Sequence, residues 1–292
     1  MRTEQYEVRN FLQHDSLSGD MVVHTTAGIV LVREHRMKAF LCHLEDSMRT
    51  RVLGSEMSDW FGPEAEEARN FLLRYSVLAE SPMLNFAIEE VELVTNCAEV
   101  GELVNSTMAD SRWTYSLCHA KADIVKQIER VAGRPVLLSV FLNPYVRDIA
   151  MAVRDTFLHA KDTVLLMSYT YNNCLYIDSP YQENWKLPCH VCQMSQIQSD
   201  LRLRFTGGVT YQQIVDQLYD HDTDVPIYTP LTPRWSLNIA TQLSNRIYRL
   251  ANLDDTDRME PEELRYAFML DLNSLVGRAD TTTHWELCDC YE

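Results

Sequence analysis

Leu187-Pro188-Cys189-His190-Val191-Cys192 and, about 95 residues later, His284-Trp285-Glu286-Leu287-Cys288-Asp289-Cys290-Tyr291-Glu292 decide how this chain is read. Cys189 and Cys192 form a C-x-x-C pair, and Cys288 and Cys290 form a C-x-C pair. Two thiolates two or three positions apart converge on one centre when the chain turns sharply. Zinc takes four such ligands in a tetrahedron, so each pair supplies half a site. A site made of Cys189, Cys192, Cys288 and Cys290 would clamp the tail to the middle of the chain. It would be structural, because a four-thiolate shell leaves no position for water or substrate. His190 and His284 are spare ligand candidates, each better suited to the surroundings of the site or to the surface. Cys42, Cys97, Cys118 and Cys174 read as small buried hydrophobes. Three other readings of the pairs stay open: a redox C-x-x-C, which would leave the second pair without work; a DNA-reading zinc finger, whose pairs would be closer together and beside a basic helix; and unrelated buried cysteines. Arg202 and Arg204 follow Cys192, but the net charge of −16 weighs against a DNA-reading finger.

The chain has 292 residues, 26 of them Lys or Arg and 42 Asp or Glu, for a formal charge of −16. That balance argues against nucleic acid, whose phosphates need clustered cations. The length suggests two domains, and 46% hydrophobic residues suit a packed core rather than disorder. No run approaches the ~18 apolar residues of a membrane span. Met1-Arg2-Thr3-Glu4-Gln5-Tyr6-Glu7 lacks the apolar centre of a secretory signal, so a cytoplasmic protein is the expectation.

Along the first 88 residues, Tyr6–Asn10 predicts a short strand. Met21–Thr25 and Ile29–Val32 predict a hairpin around Thr26-Ala27-Gly28. Helices follow at about 34–48, with Met37, Phe40, Leu41, Leu44 and Met48 on one face, and at Glu56–Phe61. A further helix opens at Pro63 and carries Ala65, Ala68, Leu72, Tyr75 and Ala79 at 3.6-residue spacing until Pro82 stops it. This order fits a winged-helix domain over 1–88. From 89 to 292 the reading is α/β: strands at 91–94, 135–141 and 163–167, with helices at 98–108 and 119–132. A third helix is capped by Asn143 with Pro144 at its first position and Val146, Ile149, Ala150, Val153 and Phe157 on one stripe. Helices then follow at about 193–204, 210–220, 235–251 and 260–276, with an irregular link at 222–233 and a short extended end at 281–292.

Catalytic signatures are missing from this order. Only nine glycines occur, and neither G-x-G-x-x-G nor G-x-x-x-x-G-K-[ST] is present to cradle phosphate. Asp255, Asp257, Glu260, Glu262 and Glu263 imitate a calcium loop. Glu260 stands where that loop needs Gly, however, and Tyr266 where it needs Glu, so a solvated acidic helix start is the better reading. His221-Asp222-Thr223-Asp224 reads as a surface turn.

The segment Leu187-Pro188-Cys189-His190-Val191-Cys192, followed at the extreme end by His284-Trp285 and Cys288-Asp289-Cys290, resembles the McbB-type subunits of microcin B azole synthetases. About fifteen residues carry that resemblance in detail, while the order of regions matches over the whole chain. It implies a ThiF-like (ubiquitin-activating-like) α/β domain with a tetrathiolate zinc at Cys189, Cys192, Cys288 and Cys290, preceded by a winged-helix element for a precursor's leader peptide. It also implies a place in a complex that converts Cys and Ser of a ribosomal microcin precursor into thiazoles and oxazoles. The expected partners are the precursor leader, a YcaO-type cyclodehydratase using ATP and a flavin-dependent dehydrogenase using FMN. The chain itself would be a homodimer within that hetero-oligomer. In ThiF-like enzymes both pairs are C-x-x-C; the C-x-C here follows the McbB type. The missing phosphate loop fits a member that no longer adenylates.

A disordered leader adds a strand to an exposed sheet edge, gaining backbone hydrogen bonds for affinity and pockets for specificity. On the winged-helix reading that edge is Ile29–Arg33, and the wall is the helix from Glu64 to Ala79. The candidate peptide-binding residues are Ile29, Leu31, Arg69, Leu72 and Leu73. Two other functions remain open at this level: an active ThiF-like adenylating enzyme and a zinc-stabilised winged-helix DNA-binding regulator.

Overall fold

A computed structural model describes residues 4–16, 19–80, 86–108, 110–118, 120–203, 207–222, 224–251 and 263–291. The chain divides into two units, Met1–Phe86 and Ala87–Glu292.

The first unit runs β1 (Gln5–Val8), β2 (Leu12–Asp15), β3 (Met21–Thr25), β4 (Gly28–Val32), α1 (His35–Asp46), β5 (Arg51–Leu53), α2 (Gly54–Phe61), α3 (Ala65–Arg74) and β6 (Leu78–Glu80). The hairpin expected from the β-branched runs is present: Thr25 faces Gly28, and Gly28 takes the positive φ of +121° that the turn requires. Strand β2 adds to it, giving an antiparallel sheet in the order β2-β3-β4, with β4 at one edge. A second antiparallel sheet has β1 between β5 and β6. Helix α1 buries Met37, Phe40, Leu41 and Leu44 of the predicted face, but it ends at Asp46, and Met48, beyond it at φ of +45°, is exposed. It opens on Glu34, whose carboxylate accepts the Arg36 and Met37 N–H groups. Phe40, Leu41, Met57, Leu72 and Leu78 are the largest fully buried side chains of this core.

One helix is shorter than its spacing predicts. α3 ends at Arg74, Ser76 turns the chain with φ of +55°, and Leu78–Glu80 pairs with β1 instead of continuing the helix. The periodic match of Ala79 was overridden by a backbone ladder to residues 70 positions away, since Val8 faces Leu78. Pro82 lies outside the described residues.

The second unit runs β7 (Glu90–Thr95), α4 (Ala98–Thr107), β8 (Trp113–Leu117), α5 (Lys121–Val131), β9 (Val136–Leu142), α6 (Arg147–Phe157), β10 (Val164–Tyr171), β11 (Cys174–Ile177), α7 (His190–Leu203), α8 (Tyr211–His221), α9 (Pro233–Ala251), β12 (Tyr266–Asp271) and β13 (Gly277–Thr281). Seven strands form one sheet in the order β13-β12-β11-β10-β9-β7-β8. β8, β7, β9 and β10 are parallel, and β11, β12 and β13 are antiparallel. β9 and β10 are buried at every residue, which is why both read as continuous apolar runs. The architecture is mixed α/β, as expected.

Two expectations are corrected. Residues 260–276 do not form a helix: among those described, Tyr266–Asp271 and Gly277–Thr281 are a hairpin on the sheet edge. Ala, Met and Leu favour helix locally, but pairing of Cys174–Ile177 with Phe268–Asp271 decides otherwise. Asn143 is not a helix cap. Val146 holds that position before α6, and the Asn143 side chain both donates to the Thr229 carbonyl and accepts from the Thr229 N–H. Strands β2, β5, β8 and β11 had no clear sequence signal. Asp255, Asp257, Glu260 and Glu262 of the calcium-loop look-alike lie outside the described residues, as does Arg204. Among the described residues no helix is long and apolar enough to cross a membrane.

Candidate functional site

Pro188 breaks the chain just before α7, so Cys189 sits at the helix start and Cys192 on its first turn. After β13 the chain turns back, and the Cys288 N–H closes a turn onto the Trp285 carbonyl. That turn brings the second pair to the first. Cys189 Sγ lies 3.5 Å from Cys288 Sγ, and Cys192 Sγ lies 3.5 Å from Cys290 Sγ. All four sulfur atoms fall within 4.8 Å of one another, and all four residues are buried. A disulfide needs ~2.05 Å, so these are separate thiols. Four sulfurs at ~2.3 Å from a tetrahedral ion stand about 3.8 Å apart, which lies between the 3.5 Å of the two closest pairs and the 4.8 Å that bounds the cluster. The donor set and its separation fit a divalent metal.

The electrostatics agree. Hydrogen bonds from the Cys192 and Cys290 thiols hold Cys189 far below the usual thiol range, while the same contacts push Cys192 up to about 12 and Cys290 higher still. Each of the other sulfurs has an outside contact. The Trp285 N–H points at Cys192 Sγ from 3.3 Å, His284 Nδ1 lies 3.3 Å from Cys290 Sγ, and Arg154 Nη2 donates to Cys288 Sγ at 3.4 Å. His284 Nε2 is 3.1 Å from the Lys186 carbonyl, which can only accept, so that nitrogen carries the hydrogen.

His190, between the two helical cysteines, turns away from them. Its Nδ1 lies 2.7 Å from Asp178 and its Nε2 3.0 Å from the Tyr145 hydroxyl, while Tyr169 donates to the other Asp178 oxygen at 3.1 Å. Burial pushes the Asp178 carboxyl up and His190 pulls it back only in part. This chain of side chains orients α7 rather than ligating.

Open parallel sheets bind nucleotides beyond the strand ends where the strand order reverses. Here that point lies between β7 and β9, and it is bridged by side-chain amides. Asn96 donates to the Pro144 carbonyl at 2.9 Å and accepts from the Asn143 N–H at 2.8 Å, and Asn143 holds Thr229. No glycine-rich turn lines it.

In the first unit, a groove of about 330 Å³ runs between the β4 edge and α3. Leu31, Val32 and Arg33 form one side, Ala68, Phe71, Glu64 and Glu67 the other, and Met37 and Phe61 the floor. Of the five peptide-binding candidates, Leu31 lines this groove and is 45% exposed. Ile29, two residues earlier on the same strand, is 71% exposed and lies outside this lining. Leu72 is fully buried in the core and Leu73 packs against it. Arg69 pairs with Glu4 and Glu66 beside a different depression, lined by Gly54, Ser58 and Pro63. Met37, Phe61 and Phe71, which line the groove, were not among the candidates, because spacing shows which residues share a helix face but not which end of that face stays open.

No curated protein sequence matches this chain. Among solved structures, the E. coli microcin synthetase McbBCD complex contains a chain with the same fold, 13% identical with a TM-score of 0.54, covering 98% of this chain and 100% of that one. The E. coli McbBCD complex with pro-MccB17 bound gives 14% identity and a TM-score of 0.52 over 98% and 99%. The family model described as microcin B17-processing protein McbB matches residues 6–292. The paired cysteines at 189–192 and 288–290, closed into one cluster on an α/β sheet, thus stand in a chain that belongs to the McbB family.

Proposed function

We propose that this chain is the leader-binding scaffold subunit of a synthetase that installs thiazole and oxazole rings in a ribosomally made microcin precursor. Family membership over residues 6–292 carries this reading. The chain would present the precursor to a YcaO-type cyclodehydratase and a flavin-dependent dehydrogenase, with ATP and FMN held by those partners. It would act as a homodimer within the hetero-oligomer. Residues 1–88 serve as a winged-helix recognition domain and 89–292 as a ThiF-like domain. The leader adds a strand to the β4 edge and drops alternate side chains into the groove between Leu31, Met37, Phe61 and Phe71. Cys189, Cys192, Cys288 and Cys290 hold a structural zinc ion, whose chemistry is to fix the tail against α7. A four-thiolate site requires reducing conditions, which suits the cytoplasm. The amide bridge at the strand-order reversal and the absence of a phosphate loop favour a scaffold over an adenylating enzyme. The charge of −16 favours a peptide over DNA.

Calorimetry of the purified chain against the synthetic leader of its neighbouring precursor tests the proposal. Saturable binding that is lost on removing the leader's apolar residues is expected; no heat with any such leader overturns it.

A further inference from the structure

Arg154 is a buried cation without an evident reason to face inward. Ile149, Ala150, Val153 and Phe157 of α6 fill the core, and Arg154 lies with them, its side chain only 9% exposed. Its two carboxylate partners are on the outside. Nη1 bonds Asp155 at 2.8 Å and Nη2 contacts Asp289, and these side chains are 61% and 57% exposed. A cation drawn only to them would sit in solvent, where the pair would cost less to form. The inner partner is sulfur: Nη2 stands 3.4 Å from Cys288 Sγ, and Arg154 also acts on Cys189. Its buried Nε has no hydrogen-bond partner among the described residues.

With a divalent ion, four thiolates carry a net charge of −2 that is shut away from water. A guanidinium is the side chain for that task. It stays charged when buried, and its planar fork reaches a sulfur and a carboxylate together. Hydrogen bonding to a metal-bound thiolate withdraws electron density from it, lowering its tendency to take a proton and dissociate.

On the metal reading above, we infer that Arg154 is a positioning residue of the four-cysteine centre, which holds Cys288 as a thiolate ligand and slows release of the ion. Cys288 and Asp289 are neighbours, so one side chain fixes both the ligand and the turn that presents it.

The full-length chain loaded with Co²⁺ tests this through its sulfur-to-cobalt charge-transfer band, and the zinc-loaded chain through ion transfer to a chromogenic chelator. Arg154→Gln should move the band to longer wavelength, because an unshielded thiolate gives up electron density more readily. It should speed ion transfer roughly 10–100-fold. Asp289→Asn, which keeps the guanidinium on sulfur, should leave the band in place. Arg154→Lys keeps the charge but loses the fork, so its band should shift part of the way. A folded Arg154→Gln with unchanged band and transfer rate overturns the inference. So does Asp289→Asn reproducing its effect, which would put the guanidinium's action on the tail alone. Where Arg154→Gln does not accumulate as folded protein, Arg154→Lys with an unshifted band overturns it. A wild-type chain that binds neither ion sinks the metal reading itself, a result distinct from all of these.

Discussion

At the cysteine cluster the four cysteines are 1–4% exposed, and every sulfur has a partner from a different segment. At the groove, Leu31 is 45% exposed, and among the described residues the β4 edge has one side without a neighbouring strand. The first region is finished and the second is half built. A buried thiolate must be satisfied within the chain, because an unpaired charge in the interior is intolerable. A binding edge must be left unsatisfied, because the incoming strand brings the missing hydrogen bonds. The contrast separates changes that unfold this protein from changes that silence it.

The largest effect should come from the finished region. Cys189→Ser or Cys290→Ser should empty the centre and loosen the second unit, since binding energy at such sites is folding energy, on the order of 10 kcal/mol in isolated peptides. Metal content and thermal melting measure this, and unchanged values in both variants would count directly against the assignment. The ion should also be retained at neutral pH and lost on acidification, because protons compete for thiolates.

Next comes Leu72→Ala. This leucine was a peptide-binding candidate but is fully buried in the first unit. The change should cost about 2–5 kcal/mol of stability, read by denaturant midpoint. A variant of full stability with weakened leader binding would return Leu72 to the groove. Phe71→Ala and Leu31→Asp should do the reverse, weakening leader binding roughly tenfold, about 1.4 kcal/mol, with melting little changed. Equal losses of stability and binding would break the distinction between the two regions.

Smaller still is the cap of α1. Backbone N–H donation from Arg36 holds the Glu34 carboxyl below its ordinary value. The sign follows: its contribution is present above the ordinary carboxylate range and is lost as pH falls through the lowered value. Glu34→Gln should remove that pH dependence from the stability of the first unit. Least of all should be Arg69→Ala, which breaks exposed pairs with Glu4 and Glu66. It should cost below ~1 kcal/mol and leave leader affinity unchanged. A tenfold loss there would move the binding surface to the other side of α3.

Much of this was legible from residues alone. Apolar runs gave β9 and β10, 3.6-residue spacing gave α1 and α6, and Gly28 marked its hairpin turn. Local chemistry repeats itself along a chain, so it can be read there. The strands at 174–177 and 266–271 could not be, because each is defined by the other across some ninety residues. For the same reason α3 stops at Arg74, and Asn143 serves Thr229 instead of a helix.

Sequence by itself marked the four cysteines as candidate ligands, since two close pairs of thiols are coded in seven positions, and it determined the α/β class through its runs of apolar residues. Only the tertiary structure decided that the pairs meet, that Arg154 meets them, and which part of the Leu31–Phe71 cleft stays open. Those are contacts between residues far apart in the chain, fixed by loop closure and packing, which no local pattern encodes.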